Sequence, residues 1–151
     1  MPIPTSFEEF CRYLDGRVEG SVCVFDAGSM PAWEHDGTWA IGSYIYRTGD
    51  RVHRFVIVGR NGRDRLIVEP TEDGYRIVYE MRSGVLRAVA DKTVTRKLRD
   101  LVLTASVKRG SNVIRCEATV RGTLTSALLE DIVAEFIDMV KELKDVVEEV
   151  A

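Results

Sequence analysis

Glutamine is absent from the 151 residues, asparagine occurs only at Asn61 and Asn112, and histidine only at His35 and His53. Two isolated imidazoles leave no His-rich metal site, and nothing in their placement supports a His–Cys nucleophile pair. Both read as solvated or hydrogen-bonded side chains. The three cysteines, Cys11, Cys23 and Cys116, show no CxxC spacing, and their odd number leaves one outside any disulfide scheme. They read as small buried hydrophobes. Gly-rich phosphate loops are missing too: Gly59-Arg60-Asn61-Gly62-Arg63 sits between two strand patterns and reads as a hairpin turn. No apolar run approaches the roughly 20 residues that cross a bilayer. The opening Met1-Pro2-Ile3-Pro4 lacks the basic and apolar regions of a signal peptide. The expectation is a soluble, cytoplasmic chain with no cofactor, no metal, no membrane insertion and no identifiable catalytic residue.

What is present suits one globular domain spanning residues 1–151, with a hydrophobic content of 45%. Charged residues make up 30%, and with so little Asn and Gln the balance resembles that of thermophile proteins. The net charge of −3 hides an asymmetry. From Thr123 onward eight acids face two lysines, so the first 122 residues carry an excess of positive charge. The basic residues Arg87, Lys92, Arg96, Lys97, Arg99 and Lys108 lack interleaved aromatics and adjoin the acidic end, which argues against nucleic acid. They read as a solvated sheet face. Asp26, Glu34 and Asp36, with Trp33 and Trp39 nearby, form an acidic cluster that could frame a pocket mouth or a cation site but reads first as solvated loop.

Thr5-Ser6-Phe7-Glu8-Glu9 has the capping-box spacing, and Phe7, Phe10, Cys11 and Leu14 follow at helical intervals, so a short helix is expected to end near Gly16. Residues 20–27 suit a buried strand, and 28–37 a loop. From Thr38 the pattern is strand and turn. Trp39–Arg47 leads to Thr48-Gly49-Asp50, and Val52–Arg60 leads to Asn61-Gly62, a two-residue hairpin turn that sets Ile57 against Leu66, Phe55 against Val68 and Arg54 against Glu69. Tyr75, Ile77, Tyr79 and Met81 share one face of the next strand. Val85–Val94 reads as a further strand and Thr95–Asp100 as a loop or short helix. Gly110-Ser111 joins the last hairpin, placing Leu101, Leu103, Ala105 and Val107 opposite Val120, Ala118, Cys116 and Ile114. With no helical pattern long enough for a crossover, an all-antiparallel sheet is expected.

The chain ends in a long amphipathic helix over 123–150, capped by Thr123 or Thr125. Its apolar seam is Leu129, Ile132, Phe136, Met139, Leu143, Val146 and Val150. The fold class is therefore α+β: a curved antiparallel meander of about six to eight strands, a short N-terminal helix, and a long C-terminal helix packed across the sheet. Large rings on such a sheet can leave a cavity beneath the helix, or fill the core. The cavity candidates are Trp39, Tyr44, Phe55, Tyr79, Met81, Phe136 and Met139.

The run from Ile3-Pro4-Thr5-Ser6-Phe7-Glu8-Glu9-Phe10 to Leu14 resembles the opening "P-x-E-x-V-W-x-x-L" of the START/Bet v 1-like (polyketide cyclase-like, helix-grip) superfamily. Gly122-Thr123-Leu124, running into Leu128-Leu129 and Ile132-Val133, resembles that group's passage from last strand to gripping helix. The resemblance implies a binding or carrier protein for a small hydrophobic, lipid-like ligand held between sheet and C-terminal helix. A second expectation is a dimeric, type III secretion chaperone-like module that binds protein segments and has a helix between residues 85 and 100. A third is a structural or interaction role with a filled core. An enzyme would rest on Tyr79 or His53, which nothing in the sequence selects. Monomer and homodimer are both open.

Overall fold

The computed structural model describes residues 6–27, 37–49, 54–59, 62–84 and 87–148. The expected loop residues Trp33, Glu34, His35 and Asp36, together with His53, Asn61, Val85 and Leu86, lie outside them. Helix α1 (Phe7–Tyr13) begins where the sequence indicates, because Ser6 Oγ accepts the Glu9 N–H at 3.1 Å and so satisfies a free amide of the first turn. Phe7, Phe10 and Cys11 are its buried residues. Strands β1 (Arg17–Glu19) and β2 (Val22–Ala27) follow as a short hairpin.

Here the reading of the cysteines needs correction. Cys11 and Cys23 form a disulfide that ties α1 to β2, with their Cα atoms 5.7 Å apart; Cys116 alone is a buried free thiol. A Cβ on Gly16 would lie 2.9 Å from both bonded sulfurs, so the turn between α1 and β1 passes over the bridge only because that residue is glycine.

The segment expected as a strand at 39–47 is helix α2 (Trp39–Thr48). Its rings and branched side chains imitate β-propensity. Its buried residues, however, are Ile41, Gly42, Tyr44 and Ile45, which share a face only at 3.6 residues per turn. Gly49 ends the helix at φ 68°, donating its N–H to the Ile45 carbonyl at 2.8 Å. With α2 in the connection, β2 pairs in parallel with β3 (Arg54–Gly59), Val22 beside Arg54 through Ala27 beside Gly59. That pair corrects the all-antiparallel expectation, since parallel neighbours need a crossover and α2 supplies it.

The remaining strands are β4 (Asp64–Pro70), β5 (Gly74–Arg82), β6 (Lys92–Leu98), β7 (Leu101–Val107) and β8 (Val113–Arg121). All their pairings are antiparallel, and the open sheet has the order β1-β2-β3-β4-β5-β8-β7-β6. The expected registers are present: Ile57 faces Leu66, Phe55 faces Val68, Ala105 faces Cys116, and Arg54 Nε lies 3.1 Å from Glu69. Between β5 and β7 the expectation shifts. Strand β6 occupies 92–98, where a loop or short helix was expected from Thr95, and the tight turn to β7 falls at Arg99, whose φ is 56°.

Helix α3 (Ser126–Glu148) closes the described fold. Its cap is Thr125, whose Oγ1 accepts the Leu128 N–H at 3.1 Å. One sheet face, with Phe55, Leu66, Ile77, Leu103, Ile114 and Ala118, joins the apolar residues of all three helices in a single core. The other face is open. A row of Val24, Val56, Ile67 and Val78 crosses four strands there, beside the ion-pair ladder Arg54–Glu69–Arg76–Glu117. Val56, Ile67 and Val78 are buried there in a second, small apolar cluster.

Candidate functional site

The seven cavity candidates separate into three environments. Tyr44 and Phe55 join an aromatic cluster with α1. The Phe10 and Tyr44 rings stack at 4.2 Å between centroids, and Phe10 meets Phe55 edge-on at 5.4 Å. Such offset and edge-to-face pairs stabilise beyond their buried area. Tyr79, Phe136 and Met139 lie in the core under α3, where Phe136 and Met139 are 0% exposed, and Met81 is half-buried at the rim. Trp39 stands apart: it lies on α2, is 41% exposed, and donates its indole N–H to Glu130 of α3.

Under α3, Tyr79 and Cys116 are held in their protonated forms at neutral pH. Burial, then the Asp64 carboxylate, raises the Tyr79 hydroxyl far above its ordinary range, so it stays protonated and donates to Asp64 Oδ2 at 3.4 Å. Asp64 itself points inward from β4, and its carboxylate lies over Gly59, where a Cβ would collide with it. The sequence signal for this buried acid is the glycine placed opposite, and it is faint. Burial also pushes the Cys116 thiol up to about 12; its Sγ faces the Phe136 carbonyl at 3.8 Å. A reactive thiolate needs the opposite environment.

The acidic flank of α3 is answered from the sheet. Arg96, read from the sequence as part of a solvated face, turns instead toward α3 and meets Glu135 at 3.3 Å, Asp138 at 2.5 Å and Glu142 at 2.9 Å. Arg99 meets Asp131 at 2.8 Å. The charge asymmetry of the sequence is thus an internal match between the β6 edge and α3. Among the described residues no group of three or more His, Cys, Asp or Glu side chains has metal-site geometry, and no helix is long and apolar enough to cross a membrane.

The surface feature that remains is the outward side of α2. Trp39, Ser43 and Tyr46 recur at i, i+4 and i+7, one stripe of a helix, and Tyr46 is 59% exposed. Beside Tyr46 a cleft of 180 Å³ is lined by Ile45, Tyr46, Gly49, Tyr75, Gly122 and Thr123. It lies between the C-terminal end of α2 and the ends of β5 and β8, and none of the seven candidates lines it. The helix is brought here by Gly42, where a Cβ would collide with the Ser126 backbone at the start of α3. A strand reading of residues 39–47 divides Trp39 from Tyr46 onto opposite faces, which hides the stripe; the helical period reveals it. Comparison with protein families, curated proteins and solved structures returned no match.

Proposed function

We propose that the chain is a protein-interaction module with a filled core, engaging a protein surface through the outward face of α2. The observation that carries this reading is a contrast of exposure. Phe136, Met139, Tyr44 and Phe55 are enclosed, whereas Trp39 and Tyr46, residue types enriched at binding hot spots, stand exposed on one stripe beside a cleft. The chaperone-like version of this role has less support, because its expected helix between 85 and 100 is met at 92–98 by strand β6.

The carrier role implied by the START/Bet v 1-like resemblance keeps one specific support, the cleft. It is a groove of 180 Å³ open to solvent on one side. A ligand there is limited to about one ring or a short branched chain, well below lipid size. Native mass spectrometry after incubation with a fatty-acid and sterol mixture separates the two roles. The interaction reading expects a bare protein, together with retained partner proteins that are lost when Trp39→Ser and Tyr46→Ser are combined. A stoichiometric apolar adduct, with partner retention indifferent to those substitutions, favours the carrier.

A further inference from the structure

The outward face of α2 carries Trp39 and Tyr46 toward its two ends with the small Ser43 between them. We infer that the protein surface it recognises is the same face on a second copy of this chain, an inference that rests on the interaction role proposed above. Ser43 lies between Trp39 and Tyr46 on the stripe. When two α2 helices pack antiparallel with Ser43 on the axis, Trp39 of each copy meets Tyr46 of the other, an isologous contact. The small residue at the crossing lets the backbones approach, and the rings at either end supply the anchors.

The charges obey the same symmetry. Glu130 lies at the Trp39 end, where it accepts the indole N–H, and exposed Arg47 adjoins Tyr46 at the other end. The two-fold brings Arg47 of one copy toward Glu130 of the other, while a parallel arrangement sets Arg47 beside Arg47. Competing self-contacts are weaker. Among the described residues the other large exposed apolar side chains, Tyr13, Val18, Val89 and Val102, belong to four separate segments, and two β6 edges are kept apart by the exposed Lys92 and Lys97. Helix α2 is only about 15 Å long, so the contact is smaller than a permanent interface and the dissociation constant should be roughly micromolar.

Ser43→Cys tests the geometry. Helices in close contact lie about 8 Å apart with Cα atoms about 2.3 Å from each axis, so residues at the crossing come within disulfide reach. Cys11 and Cys23 are bonded and Cys116 is buried, so no native surface thiol competes. With a mild oxidant at high micromolar concentration, Ser43→Cys should give a covalent dimer, and Ala134→Cys, exposed on α3, should not. By light scattering the wild type should dimerise reversibly, and combining Trp39→Ser with Tyr46→Ser should weaken the dimer by at least about 30-fold. Cross-linking of Ser43→Cys no faster than Ala134→Cys, or a wild type monomeric throughout, overturns the second-copy inference. Should partner proteins still be retained through Trp39 and Tyr46 in that case, the interaction role stands without it; loss of both dimer and retention sinks both.

Discussion

Helices α2 and α3 lie on the same sheet face and are built to opposite rules. Along α3, the residues Leu129, Ile132, Val133, Phe136, Met139 and Leu143 are all buried, and its acids are met by Arg96 and Arg99. These seam residues all serve the core, while Val146 and Val150 of the expected seam lie outside the described side chains. Helix α2 buries Ile41, Tyr44 and Ile45 but leaves Tyr46 exposed and Trp39 partly so, its indole N–H held by Glu130. Single exposed apolar residues are ordinary; two large rings on one stripe beside a cleft are the arrangement of a contact surface. One helix explains how the chain folds, and the other carries the proposed contact surface.

The comparison breaks first at Phe136. If it is close-packed, Phe136→Ala should cost about 3–5 kcal/mol in denaturant unfolding; a loss near 1 kcal/mol would mean that α3 covers empty space. Next is the clamp on α1, which holds Phe10 against Tyr44 of α2. Reducing the Cys11–Cys23 bridge should lower stability by about 2–4 kcal/mol, measured as the shift in unfolding midpoint with and without a dithiol reductant. An unchanged midpoint would show that α1 is held by packing alone.

Gly42 decides how closely α2 approaches α3. Gly→Ala in a helix ordinarily stabilises by about 1 kcal/mol, but here the added Cβ meets the Ser126 backbone. Gly42→Ala should therefore destabilise, by about 1–3 kcal/mol, and a gain would show that the helices have room to part.

Much of the α3 half is legible in the sequence, and little of the α2 half. The hairpin strands alternate cleanly, so Ala105 falls opposite Cys116 and Arg54 beside Glu69 from turn position and side-chain period alone. The seam of α3 repeats over several turns, which makes its period unmistakable. Residues 39–48 span fewer than three turns and are mostly rings and β-branched residues with a glycine among them, so their local propensity points to a strand. Tertiary contact with α1 and α3 overrides it. The disulfide was equally hidden, because a separation of 12 residues fixes no pairing until α1 and β2 are placed.

Alkaline titration sharpens the same contrast from below α3. Burial carries Cys116 from 9.0 to about 12, so the native state holds this proton more tightly than the unfolded chain. Stability from this group is complete below pH 9.0 and should fall by about 1.4 kcal/mol per pH unit between 9.0 and about 12; Tyr79 acts with the same sign at higher pH. Cys116→Ala should flatten the slope of stability against pH. The smallest effect belongs to the surface of α2. Tyr46→Ser should change the stability of the isolated chain by no more than about 0.5 kcal/mol, and Trp39→Ser by about 1 kcal/mol through the lost Glu130 hydrogen bond, while the pair weakens association by at least about 30-fold. A large loss would return those rings to the fold.

The most direct measurement is an NMR titration that follows the Met139 methyl and Trp39 indole resonances together, first with a medium-chain fatty acid and then on dilution of the protein. A filled core with an external contact surface predicts a Met139 methyl unmoved by fatty acid and a Trp39 indole that shifts as the protein is diluted. A saturable shift of Met139 with fatty acid, with Trp39 constant on dilution, would contradict it.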